Sequence, residues 1–376
     1  MVIAVQPRSR TAAGALAAVR LYSFRHFGPN WYATVMGTAI VANAGVALPV
    51  DVPGLRTACV AVWALSAVLL ALVLAARATH WIHHRDQARA HLVDPAIAPF
   101  YGCLSMALLA VGIGTLTVGR DVIGESASVT AAAVLFGIGT LIGLCAAVVV
   151  PYLMVVRHLV TPGIASPVWL LPVVSPMVSA SLGPLLVPHL PAGQWREAML
   201  LGSYAMFGIS LLATFVILPT VFARLVHHGP LPLALTPALL LVLGPLGQST
   251  TAVSKLADVA PGAIAAPYAT GFGAFAVIYG VPVMGFALMW MALAGSMVVR
   301  AARKGMPFTM TWWAFTFPLG TCVTAAEGLA GRTGLVALEW LAVGLFAVLV
   351  TAWAVTGVRT LRGLFSGALL AAPLQK

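Results

Sequence analysis

Apolar residues run through this chain in blocks of about twenty, each bounded by charged residues or by Pro/Gly-rich punctuation. That is the length a helix needs to cross about 30 Å of hydrocarbon. Ten such blocks are legible, at residues 31–48, 55–76, 98–118, 128–150, 167–187, 197–221, 232–252, 264–296, 307–327 and 333–356. The pattern predicts an all-α integral membrane protein with ten transmembrane helices.

The blocks are of two kinds. The even ones, such as 55–76 and 333–356, are mostly Ala, Leu, Val and Trp, as a lipid-facing surface requires. The odd ones carry small, hydroxyl and amide residues together with mid-block prolines. The first has Gly37, Thr38 and Asn43, the third Ser105, and the fifth Ser175, Pro176, Ser179 and Gly183. The seventh has Gly244, Pro245 and Gln248, and the ninth Thr316, Pro318, Gly320 and Thr321. Proline inside a span frees a carbonyl, which is tolerable where the helix is buried in protein or lines water. These residues are the candidate wall of a pathway, and their alternation suggests five helical hairpins around a central axis. Taken singly, each is equally what close helix packing uses; the case for a pathway rests on the set.

Composition agrees, with 61% hydrophobic residues, 8% charged and a mean hydropathy of +1.01 over 376 residues. Such a chain has too few polar side chains to cover a water-soluble fold. Fifteen of the twenty Lys and Arg fall on alternate loops and the two ends, against five on the other side (Arg56, Arg120, Arg196, Lys255 and Arg332). A missed or invented span would destroy that alternation, and the excess predicts both termini to be cytoplasmic. The pI near 10.2 therefore reports orientation, and no basic face interleaved with aromatics exists to track nucleic acid. Arg8, Arg10 and Arg20 precede Pro29 and Asn30 without a small-residue cleavage site, so no cleaved signal peptide is expected.

Two motifs carry a resemblance. RHFGPNWYATVMGTAIVANAG, residues 25–45, and WWAFTFPLG, residues 312–320, resemble the opening segment and the ninth helix of the tellurite-resistance/dicarboxylate transporter family. That family includes tellurite-resistance channels, plant slow anion channels, fungal malate permeases and sulfite efflux pumps. The resemblance implies five hairpins in quasi-fivefold arrangement around a central pore, odd helices inside, commonly as a homotrimer in the cell (cytoplasmic) membrane. It also implies a pore-plugging phenylalanine just before the ninth-helix proline, which here is Phe317; Phe315 stands where plant members carry tyrosine. The implied substrates are small anions, C4-dicarboxylates such as malate first, with sulfite or another inorganic anion (chloride, nitrate, tellurite-resistance type) as the alternative. On this reading residues 1–25 and 361–376 are cytoplasmic tails and 26–360 the transmembrane domain. Small anion and lipid bilayer are the expected partners, with no cofactor.

The pathway's chemistry follows from what the spans lack. An anion crossing a membrane exchanges water for dipoles, and hydroxyls with the amides of Asn43 and Gln248 can supply them. No Lys, Arg or His is expected near mid-span. Glu327 and Glu339 are the two acids inside spans, toward the outer ends, with Arg332 on the loop between; Glu327 is either part of a charge cluster at the outer mouth or a proton-coupling residue. His80, His83 and His84 have helical spacing within THWIHHRDQARAH, residues 79–91, but Trp81, Arg77, Arg85 and Arg89 mark a headgroup-contacting segment, so no metal is expected. Cys59, Cys103, Cys145 and Cys322 form no ligand spacing and are expected as reduced, buried thiols. No serine has a membrane-embedded base to activate it, which argues against an enzyme.

Overall fold

The computed structural model describes residues 24–50, 52–158 and 160–370. Expectations resting on Arg8, Arg10, Arg20, Asp51 and Lys376, and on most of both tails, lie outside the described residues. Every regular element among them is helical. The main helices are α1 (Tyr32–Ala47), α2 (Leu55–His83), α3 (Ala98–Ile123), α4 (Glu125–Val156), α5 (Pro167–His189), α6 (Gln194–His228), α7 (Leu233–Gly262), α8 (Tyr268–Arg303), α9 (Phe317–Thr333) and α10 (Val336–Phe365). All but α1 and α9 are long and apolar enough to cross a membrane. Those two have 16 and 17 residues, and each is preceded by a 3-10 turn, Pro29–Trp31 and Met310–Phe315.

Proline explains one of these joints. At Thr316 the backbone leaves helical geometry (φ −104°, ψ −77°), and α9 begins with Phe317 and Pro318. A proline in the first helical turn gives up an N–H that has no helical partner there in any case. Pro318 thus starts a helix, where the sequence suggested a continuous span loosened at mid-depth. Pro176 and Pro184, by contrast, lie within α5.

Burial divides the helices as the sequence does. Between 22% and 28% of the central stretch is buried in α2, α4, α6, α8 and α10, against 83% to 94% in α3, α5 and α7. In α1 every residue from Tyr32 to Gly45 is buried. Val155, Leu212, Val216, Ile278 and Leu361 stand exposed on the outer helices, the apolar exterior that lipid demands. Each buried helix packs on the exposed helix that follows it. The buried helices also pack on one another in chain order, and α9 packs back on α1, which closes a ring.

Indoles of the outer helices anchor this ring. Trp63 of α2 donates to Thr115 Oγ1 of α3 at 3.1 Å, Trp290 of α8 to the Leu239 carbonyl of α7 at 2.9 Å, and Trp353 of α10 to Thr38 Oγ1 of α1 at 3.1 Å. Within the ring, two glycines let backbones meet: a β-carbon at Gly102 of α3 would collide with the Leu171–Pro172 backbone of α5, and one at Gly247 of α7 with the Thr321–Cys322 backbone of α9.

The basic segment after α2 departs from expectation. Arg77, placed by the sequence at headgroup depth, is 3% exposed and donates to the Phe27 carbonyl at 2.6 Å and to Tyr101 Oη at 3.2 Å; it ties the start of α1 to α2 and α3. A short helix, Arg85–Val93, folds back so that His91 stacks on His80 at 5.3 Å. Burial, with Arg77 and His80 beside it, pushes the His91 imidazole down to about 4, so it packs uncharged. Among the described residues no three His, Cys, Asp or Glu are grouped to hold a metal. Cys59, Cys103 and Cys322 are buried, but Cys145 is exposed on α4, because it lies on the face turned away from the ring.

The two close crossings predict a clear contrast. Gly102→Ala and Gly247→Ala should each destabilise the detergent-solubilised protein by about 1–3 kcal/mol, read as a lowered melting temperature. Gly137→Ala, with open space around it, should leave that temperature unchanged.

Candidate functional site

A cavity of about 570 Å³ lies inside the ring, and all five buried helices contribute to its wall. Each offers a single stripe at three- and four-residue spacing, the period of one helix face. From α1 come Ile40, Asn43 and Ala47; from α3, Ala110, Ile113 and Thr117; from α5, Val178, Ser181 and Leu185; from α7, Gln248, Thr251, Lys255 and Asp258; from α9, Phe317, Thr324, Glu327 and Gly331. Phe317, 2% exposed, closes one end. Arg332, Asp258 and Lys255 stand at the other.

Polar groups on this wall are partly pre-positioned. Asn43 Nδ2 donates to the Ala110 carbonyl at 2.9 Å, which leaves its Oδ1 buried without a partner. Gln248 Nε2 donates to Ser181 Oγ at 2.7 Å, and Thr251 and Thr324 share a hydrogen bond of 2.7 Å. Near the mouth Arg332 donates to Asp258 at 2.6 Å and to the Ser254 carbonyl at 2.7 Å. Lys255 is 4.0 Å from the same Asp258, too far to share it fully, so it remains the less neutralised cation of the wall. Both carboxylate oxygens of Glu327 are covered and have no hydrogen-bond partner.

Of the residues singled out from sequence, the structure brings Asn43, Gln248, Phe317 and Glu327 together on the cavity. Gly244 and Pro318 line a small apolar space on the far side of Phe317. The others face neighbouring helices. Ser105 donates to the Gly139 carbonyl at 2.6 Å and Ser175 to that of Gly102 at 2.9 Å. Ser179 accepts from Thr140 Oγ1 at 2.9 Å, and Thr321 donates to the Pro318 carbonyl at 2.7 Å. Thr38 and Thr316 bond back to the Thr34 and Trp313 carbonyls, both at 2.7 Å. Gly37 lies against Trp313 and Thr316, Gly183 against Ser203, and Gly320 against Ile40. Pro176 is buried in α5, and Pro245 is buried in the first turn of the α-helical part of α7.

Sequence reading missed Thr251, Ser254 and Lys255 as wall residues, and placed Lys255 and Arg332 in loops. Helix extends further than the apolar blocks, to Val259 in the first case and Thr333 in the second. The available signal was register: Gln248, Thr251, Lys255 and Asp258 continue one helical face.

Residues 26–361 match the family described as voltage-dependent anion channel, SLAC1. The chain belongs to this family. The match spans both motifs on which the resemblance to the tellurite-resistance/dicarboxylate transporters was drawn. The chain is 27% identical over 350 residues to an uncharacterized transporter of Methanocaldococcus jannaschii, covering 93% of this chain and 96% of that one. It is 30% identical over 309 residues to a sulfite efflux pump of Trichophyton rubrum, 80% of each chain, and 27% identical over 337 residues to one of Arthroderma otae, 87% of this chain and 88% of that one. As a SLAC1-family member the protein is an anion transporter or channel of the membrane, and the hydroxyls and amides on the cavity wall can solvate an anion without binding it tightly.

Lys255 then has a definable effect. Lys255→Glu should slow anion uptake into proteoliposomes roughly three- to tenfold at low ionic strength. The difference should shrink in salt near ~1 M, where the Debye length falls to about 3 Å.

Proposed function

We propose that the ring is a transmembrane anion path: all ten helices cross the membrane, as five hairpins in quasi-fivefold arrangement, and the central cavity holds the anion on its way. The observation that carries this reading is that one face of each of the five buried helices meets at one cavity, bearing amides, hydroxyls and charged groups on an otherwise apolar wall and ending on Phe317. On this reading both termini are cytoplasmic, the cavity opens outward, and the protein works in the cytoplasmic membrane as a homotrimer with one path per subunit.

Small inorganic oxyanions, sulfite first, are the proposed substrates. The sulfite efflux pumps among the relatives support them, ahead of the malate-like C4-dicarboxylates that resemblance alone put first. Phe317 is the proposed gate, because it stands at the first residue of α9 between the cavity and the apolar space beyond. Proteoliposome flux of sulfite, malate, chloride and nitrate tests both points. Sulfite should move fastest, and Phe317→Ala should raise its flux about tenfold, equivalent to ~1.4 kcal/mol off the barrier. Malate outrunning sulfite would reverse the substrate order; an unchanged flux would remove Phe317 as gate.

Glu327 is proposed to couple transport to protons. A covered carboxylate without hydrogen bonds costs several kcal/mol if left charged, and Lys255, Asp258 and Arg332 are the charged groups sharing its cavity. Uptake of a proton on Glu327 would let an anion pass it without repulsion. Glu327→Gln should then abolish the pH dependence of sulfite flux while preserving its rate; a retained pH profile would return Glu327 to a structural role.

A further inference from the structure

Beyond Phe317 the axis narrows. Two spaces follow, each of about 10 Å³, at the lower limit for holding a single water molecule. The same helix faces that form the cavity line them, one or two turns further along. Met36 of α1, Leu171 of α5 and Leu241 of α7 border both spaces, and so stand between them; they are 2%, 4% and 7% exposed. Cys103 of α3, fully buried, lines only the farther space, and Phe317 only the nearer.

We infer that Met36, Leu171 and Leu241 form a second barrier in series with Phe317, an apolar collar that closes the path by excluding water. This rests on reading the central cavity as the transport path. The seven-residue steps from Met36 to Asn43, Leu171 to Val178 and Leu241 to Gln248 put the collar about 10 Å below the polar wall, at 1.5 Å per residue. Movement of the Phe317 ring alone connects the cavity to the nearer space and leaves the collar shut. A hydrated anion stopped there meets no dipole: it would have to shed water against methyl and thioether groups, which is the basis of gating by dewetting. Met36 and Leu171 also touch the α1 and α5 faces that bear the polar wall, so an outward shift of either helix would part the collar.

Cys103 is a native reporter of this barrier. In a variant retaining it alone (Cys59, Cys145 and Cys322 replaced by Ala), a membrane-impermeant anionic methanethiosulfonate is applied to sealed proteoliposomes from the cavity side. Thr117→Cys in the cavity wall is the accessibility control, and mass spectrometry gives the labelling rate. Cys103 should stay unlabelled in the parent and with Phe317→Ala. Adding Leu241→Asn, which keeps the branched side-chain shape and wets the collar, should raise Cys103 labelling at least about tenfold. Leu171→Ala with Leu241→Ala in the Phe317→Ala background should do the same by removing bulk. Either pair suffices should the other fail to yield folded, monodisperse protein. Labelling of Cys103 as fast with Phe317→Ala alone as with the collar opened would overturn the inference, and so would protection of Cys103 in every folded variant whose Thr117→Cys control reacts. Sulfite flux measured on the same vesicles separates the two claims. No flux in any variant, with labelling following the collar, sinks the transport reading while the second barrier stands.

Discussion

Backbone meeting backbone is what holds the inner ring to its size. In hydrocarbon no hydrophobic force drives helices together, so association depends on close packing and on every polar group finding a partner within the protein. Gly102 against Leu171–Pro172 and Gly247 against Thr321–Cys322 set the distance between two pairs of buried helices. Serine and threonine hydroxyls then find carbonyls across the seams, as Ser105 and Ser175 do. The cavity is the remainder of that packing. It is wide where the facing side chains are Asn43, Ser181 and Thr324, and closed where they are Met36, Leu171 and Leu241.

The class of fold was legible because lipid imposes it on every residue of a span. Block length, the rarity of charge and the contrast between odd and even blocks all survive in the structure as length, apolarity and burial. The candidate site was legible in part. Asn43, Gln248 and Phe317 stood out chemically and do face the cavity. Ser105, Ser175 and Thr321 stood out for the same reason and face their neighbours, since a hydroxyl in a membrane helix serves a seam as readily as a lumen. The collar gave no sign at all. A leucine has the same appearance in sequence whether it meets lipid, another helix or a path, and only the register of the five faces tells them apart. Lys255 was misplaced for a different reason: α7 continues past the end of its apolar block, and the charge that ended the block in sequence lies within the helix in space.

On two of the five buried helices the two halves of the axis differ in construction as well as in chemistry. In α7 and α9 the α-helical part begins at Leu243 and Phe317, after 3-10 stretches rich in apolar side chains. Polar wall residues come from the α-helical parts, where a regular face can present amides and hydroxyls in register. On α7 the tighter 3-10 stretch brings Leu241 to the axis, whereas Met36 and Leu171 reach it from α-helical turns of α1 and α5. On α9, Phe317 stands where one construction changes to the other, between the larger cavity and the small apolar space beyond.

The depth of the cavity also decides where an electric field acts. On the proposed path, a water-filled space of about 570 Å³ would let little of a membrane potential fall across it. The potential is concentrated instead over the dry stretch from Phe317 to the level of Cys103. An elementary charge carried through that stretch does nearly all of its electrical work there, about 2.3 kcal/mol for each 100 mV. On that reading voltage acts most strongly on an anion that leaves the cavity floor to enter the closed stretch.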